Sequence, residues 1–186
     1  NHEGDFSLAK KLIVLAKKNG ADAVKFQFIT PENLVNPINN EKRIKQLKKF
    51  CLTLKQILEL KKFAKKKKII FLCSIFDFEK IYKIKNKFSV FKIPSGDNNN
   101  IKIINEYINT KKPILYSSGM LDLKLLKQIF KKLKKNRNFD KKKICLMHCV
   151  ANYPLNNKDS NMNSLLDIKK MGFEIGYSDH AIGIDN

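Results

Sequence analysis

Apolar positions along the chain follow two spacings in turn. Short runs of β-branched and aromatic residues, at 21–28, 69–73, 88–93, 113–117, 144–149 and 173–177, have the length and composition of strands. Between them lie longer lysine-rich stretches, at 6–19, 53–66, 77–86, 99–110, 122–136 and 160–171, with the three- and four-residue recurrence of amphipathic helices. Leu8, Leu12, Leu15 and Ala16 form one such stripe, and Gly20 stands where a left-handed C-terminal cap belongs. Thr53 and Gln56 have capping-box spacing, and Asp77 and Asp122 are N-cap candidates. Segment 30–46 is the least regular and reads as a long loop with a short helix.

Strand followed by helix, repeated without a Pro/Gly/Ser linker, predicts one α/β domain built on a parallel sheet. The count alone leaves open whether the sheet is doubly wound or closed. No glycine-rich phosphate fingerprint follows the first strand, which argues against a dinucleotide fold. Polar residues gather at the ends of the strand runs, where a (β/α)8 barrel of the TIM type builds its site. A closed barrel takes about 250 residues, so 186 residues predict an incomplete one, lacking part of strand one and all of strand eight. The start at Asn1 without Met, and the stop at Asp185-Asn186 without a helix-ending signal, fit an excerpt from a longer protein.

The strand ends supply Lys25 and Gln27, then Ser74, then Lys92 with Ser95 and Asp97, then Ser117 and Ser118, then His148, and last Ser178, Asp179 and His180. Alternation puts Lys25 and Gln27 on one face of their strand and Val24, Phe26 and Phe28 on the other. The apolar face would pack on helices, and the opposite face would carry a lysine into the barrel mouth. Lys92 stands likewise between Phe91 and Ile93. A lysine so placed is costly unless it meets an anion. Two of them, with serine hydroxyls beside them, suit a small phosphorylated acid; the plainer alternative is that both snorkel from strand edges.

His180 shares a face with Gly176 and Ser178 and is a candidate metal ligand or acid–base group, although one histidine alone does not make a metal site. His148 reads as a satisfied core histidine, and Cys145 and Cys149 fall on the face opposite to it, which argues against a Cys–His site. The four cysteines, with no framework spacing, read as buried free thiols in a reducing compartment.

The formal charge of +21 raises nucleic-acid binding as a rival. Of 38 basic residues only Arg43 and Arg137 are arginine, and the lysines are spread over nearly every helix, which is the pattern of solvated faces. No apolar stretch approaches the about 20 residues of a membrane helix and no signal peptide is visible, so a cytoplasmic protein is expected.

Six stretches carry a resemblance. NHEGD at 1–5, GADAVKFQ at 20–27, FKIPSGD at 91–97, KPILYSSGM at 112–120, MHCVANYP at 147–154 and IGYSDHAIG at 175–183 occur in the order found in sialic acid synthases, which make N-acetylneuraminic, legionaminic or pseudaminic acid. The chain resembles the barrel domain of that family. The resemblance implies condensation of phosphoenolpyruvate with the open-chain aldehyde of an N-acylated amino sugar such as N-acetylmannosamine, with release of phosphate. It implies a divalent metal, Mn²⁺ or Mg²⁺, a C-terminal antifreeze-like domain and a domain-swapped homodimer, with no nucleic acid or membrane as partner. It assigns Lys25, Ser74, Lys92, Ser95, Ser117 and Ser178 to phosphoenolpyruvate, with Lys25, Lys92 and His180 as the catalytic set. Gln27, Asp97 and Tyr153 would face the sugar. His180 would be one metal ligand, with the second ligand in strand eight and the catalytic glutamate of strand one both outside the chain.

The chain departs from the family pattern at Cys73-Ser74-Ile75-Phe76, where Ser-Thr-Pro-Phe is usual, at Asp97 for glutamate, and at Ala151 for asparagine. The loop after strand two also lacks the usual Tyr-Gln segment. Another phosphoenolpyruvate-condensing barrel, of the 3-deoxy-octulosonate-phosphate or heptulosonate-phosphate type, is the nearest rival, and a non-catalytic barrel is a third reading.

Overall fold

The computed structural model describes residues 2–36 and 38–183, apart from the side chain of residue 78. Asn1, Asp185 and Asn186, used above, lie outside them. The chain divides into two compact units, Asn1–Ser89 and Val90–Asn186.

The first unit runs α1 (Phe6–Lys18), β1 (Ala23–Ile29), α2 (Pro31–Leu34), α3 (Glu41–Phe50), α4 (Leu54–Lys66), β2 (Ile70–Phe76) and α5 (Phe78–Ile84). β1 and β2 pair in parallel from Ala23 opposite Ile70 to Ile29 opposite Phe76. The local signals act as predicted. Gly20 has φ +82°, Gly20 N–H donates to the Lys17 carbonyl and Ala21 N–H to that of Ala16, a Schellman ending for α1. Both halves of the Thr53–Gln56 capping box form, and Asp77 accepts from Lys80 N–H at the start of α5.

Two expectations need correction. Segment 30–46 holds α2 and most of α3 rather than one short helix in a loop. In α3 only Ile44 is buried, so lysines outnumber the residues that would show a period. In α1 the line against the rest of the unit runs through Ala9 and Ile13, both 0 % exposed, while Leu15 is 42 % exposed. Two positions beyond Ile13 the helix has turned about 200°, which carries Leu15 to the outer side. Leu8, Leu12 and Ala16 flank the buried line, half-covered.

The second unit runs β3 (Phe91–Ile93), α6 (Ile101–Ile108), β4 (Ile114–Ser117), α7 (Leu123–Leu133), β5 (Ile144–His148), α8 (Ser164–Lys169) and β6 (Glu174–Tyr177). Its strands are parallel and pair in sequence order, β3 with β4, β4 with β5 and β5 with β6. Asp122 caps α7 by accepting from Leu125 N–H. Each unit's core lies between strands and helices. Phe26, Phe71 and Phe88 stack in the first, and Phe91 meets Tyr107 and Phe130 meets Phe173 in the second. Each such side chain, nearly or fully buried, contributes about 1.5–3 kcal/mol.

Candidate active site

In the first unit β1 alternates as the sequence predicts. Phe26 and Phe28 are buried, and Lys25 and Gln27 lie on the opposite face. The register sets Lys25 beside Leu72 and Gln27 beside Ser74, and aligned residues of parallel strands share a face. Ser74 is fully buried, and its hydroxyl is the one buried side-chain oxygen or nitrogen among the described residues with no hydrogen-bond partner. Lys25 departs from expectation: its side chain is exposed, so the cost of burying a lysine does not apply in full there. The protein mass around it still lowers its pKa by desolvation, against a smaller opposing effect of Cys73. A cavity of about 380 Å³ opens beside it, with Gln27, His2 and Leu12 among its walls.

Past the strand ends, Thr30 Oγ1 donates to Asp77 Oδ2 at 2.6 Å, and Lys80 Nζ lies 3.1 Å from that oxygen and 2.6 Å from Thr30 Oγ1. Burial pushes the Asp77 carboxyl up, but the hydrogen bonds from Thr30 and from Lys80 outweigh it and hold the carboxyl below its usual range. This knot ties the end of β1 to the end of β2.

In the second unit the face of β3 carrying Lys92 continues through Leu115 and Ser117 of β4, Cys145 and Met147 of β5, and Gly176 of β6. Lys92 is half-buried and its ammonium donates to the Ser117 hydroxyl. Ser95 and Asp97 lie in the 3-10 turn Ser95–Asp97 that follows β3. Ser95 Oγ is 3.3 Å from Cys149 Sγ. Asp97 is half-buried, which raises its carboxyl pKa by desolvation.

After β6, Ser178 and His180 lie together, Oγ to Nε2 at 3.5 Å. The Tyr153 ring packs on His180 with centroids 4.1 Å apart, and its hydroxyl is 3.1 Å from Nε2. His180 Nδ1 is 2.5 Å from the Val150 carbonyl. A carbonyl only accepts, so Nδ1 carries the proton and, in the neutral ring, Nε2 keeps the lone pair that faces Tyr153. His148 differs: it is buried, with Nε2 donating to the Ser160 carbonyl at 2.7 Å, on the face of β5 that also buries Ile144 and Leu146. Among the described residues no group of three or more His, Cys, Asp or Glu stands close enough to share a metal.

The structure thus brings together Lys25, Gln27 and Ser74 on one face in the first unit. In the second it joins Lys92 to Ser117, and Tyr153 and Ser178 to His180. One residue escaped the sequence reading. Asn98 is buried, and its side chain spans the turns that follow β3 and β4. The signal for it was weak, since it is the first of three asparagines in a polar run.

The model of the NeuB family matches residues 12–186. An uncharacterized protein of Methanocaldococcus jannaschii is 35% identical over 99% of this chain and 54% of its own length. The N,N'-diacetyllegionaminic acid synthase of Campylobacter jejuni is 34% identical over 99% of this chain and 59% of its own. The crystal structure of N-acetylneuraminic acid synthetase from Leptospira borgpetersenii, in complex with citrate, superposes with a TM-score of 0.89 at 30% identity, covering 100% of this chain and 64% of that one. The chain therefore spans between about half and two thirds of the length of these relatives. The fold class is the one expected from the sequence, α/β of the (β/α)8 barrel type.

Proposed function

The chain belongs to the NeuB family, and from that premise we propose that the protein is a nonulosonic acid synthase, condensing phosphoenolpyruvate with an N-acylated amino sugar such as N-acetylmannosamine. The observation that carries this reading is the contact of the half-buried Lys92 ammonium with the hydroxyl of Ser117, the last residue of β4. An ammonium beside a hydroxyl at a strand end suits a phosphate or a carboxylate. The orphaned hydroxyl of Ser74, beside Gln27, supports it, since a buried donor without an acceptor costs about 1–3 kcal/mol until a ligand supplies one.

In this reading Lys25, Lys92, Ser74, Ser95, Ser117 and Ser178 hold phosphoenolpyruvate, and Gln27, Asp97 and Tyr153 face the sugar. C3 of phosphoenolpyruvate attacks the open-chain aldehyde carbon, whose oxygen takes up a proton to become a hydroxyl. Water adds at C2 and gives up a proton. The tetrahedral intermediate expels inorganic phosphate by C–O cleavage, leaving a 2-keto acid. The lysines stabilise the phosphate charge throughout, and the strand ends hold the two reactants in reach of each other.

A divalent ion, Mn²⁺ or Mg²⁺, fits one feature of the site. The Val150 carbonyl holds the His180 proton on Nδ1, so Nε2, which Tyr153 now faces, would be the ligating atom, and the ion's other ligands would come from groups beyond the described cluster. Such an ion would polarise and orient the aldehyde. A cytoplasmic location and a domain-swapped homodimer, with an antifreeze-like domain beyond the barrel, belong to the same proposal. No helix among the described residues is long and apolar enough to cross a membrane.

The test is phosphate release by the full-length protein from phosphoenolpyruvate, across a panel of N-acylated amino sugars with and without a 6-phosphate. Release with at least one sugar is expected. No release with any of them overturns the reading.

A further inference from the structure

Asn98 follows the turn that carries Ser95 and Asp97, and it is 2 % exposed. Its Nδ2 donates to the Ser117 carbonyl at 3.1 Å and to the Gly119 carbonyl at 2.7 Å, so one amide group serves two main-chain acceptors of the turn after β4. The main-chain carbonyl of Asn98 accepts from the hydroxyl of Tyr116, a β4 residue that is 1 % exposed. The two turns also interlock sterically. A Cβ built on Gly119 would lie 2.5 Å from Ser95 Oγ and 3.1 Å from Cys149 Sγ, closer than side-chain atoms pack. Removing the Asn98 amide would take a donor from the carbonyls of Gly119 and of Ser117, the residue whose hydroxyl meets Lys92.

We infer that Asn98 is a positioning residue: by clamping the Ser117–Gly119 turn to the Ser95–Asp97 turn, it fixes the Ser117 hydroxyl, and with it Lys92, in place to receive an anionic phosphate group. It acts through Ser117 and not by touching the ligand. The inference rests on the proposed phosphoenolpyruvate site, whose own test is turnover.

The experiment measures inorganic phosphate affinity by calorimetry, and KM for phosphoenolpyruvate, in the full-length protein. The variants are Asn98→Leu, Tyr116→Phe, Ser117→Ala and the two doubles with Ser117→Ala, each first checked by thermal melting. Asn98→Leu should weaken phosphate binding about tenfold, the size of one well-placed hydrogen bond to a charged group. Tyr116→Phe should act in the same direction by about threefold, since it loosens the clamp without removing it. Each double should be no weaker than Ser117→Ala alone, the non-additivity expected when one residue acts through another.

A purely structural role would lower the melting temperature, leave affinity and KM at wild-type values in the folded variants, and overturn the inference. Additive doubles would overturn it too. If Asn98→Leu does not fold, Tyr116→Phe and its double decide alone. If the wild type binds phosphate but turns over no amino sugar, the synthase reading fails while the cycle still judges Asn98. If it binds no phosphate but turns over, the same cycle is read in KM for phosphoenolpyruvate; if it does neither, both fail.

Discussion

Lys92 is the residue on which the proposed chemistry turns most directly, because its ammonium meets the strand-end hydroxyl of Ser117. Lys92→Ala should raise KM for phosphoenolpyruvate and lower kcat, for a combined loss in kcat/KM of about 10²-fold or more, as its charge would serve ground and transition states alike. Steady-state kinetics check this, and wild-type constants would remove Lys92 from the site. Asp77 makes a different kind of prediction. Its folded pKa is depressed, so its hydrogen bonds stabilise the fold above the unfolded carboxyl pKa of about 3.9, and that contribution is lost as pH falls through the lower folded value. Asp77→Asn should therefore cost about 1–3 kcal/mol at neutral pH, with the difference from wild type shrinking in acid. Denaturant melts at several pH values measure it, and a gap that widens on acidification would contradict the sign.

At the scale of elements, much was legible. Apolar runs and period-3.6 patterns located six strands and the helices between them, because the buried faces of these elements are apolar even though some apolar residues, Leu15 and Leu166 among them, are exposed. Caps were legible for the same local reason: Gly20, Thr53, Asp77 and Asp122 act within a few residues of themselves. Helix α3 was not, since its lysines hide the single buried Ile44. Nor was the buried line of α1, which the neighbours of a helix choose and its own sequence only permits. Within the candidate site, alternation found the face of Lys25 but not its exposure, which depends on what surrounds the strand. Asn98 escaped because its role is to reach across residues distant in sequence. Thr53→Ala deletes the capping box of α4 and should lower stability by about 1 kcal/mol, seen as a lower midpoint in a denaturant melt. An unchanged midpoint would mean that packing alone sets where α4 begins.

For the whole molecule, the formal charge of +21 is the dominant physical property. Its lysines lie largely on exposed helix faces, so the field they create is long-ranged in dilute salt and screened beyond about 8 Å at physiological ionic strength. An anionic substrate is drawn in by such a field, while a neutral sugar is not. KM for phosphoenolpyruvate should thus rise several-fold between about 0.01 and 0.5 M salt, with KM for an uncharged amino sugar nearly constant. Equal salt sensitivity of both constants would assign the effect to something other than attraction of the anion.

The hydrogen bond between His180 and the chain at Val150 has an evolutionary corollary. Its acceptor is a peptide oxygen, present whatever amino acid occupies position 150, so point mutation there cannot delete the group that dictates where the imidazole proton resides. The tautomer is inherited with the path of the backbone, and drift in the side chain at 150 leaves the basic nitrogen aimed as before.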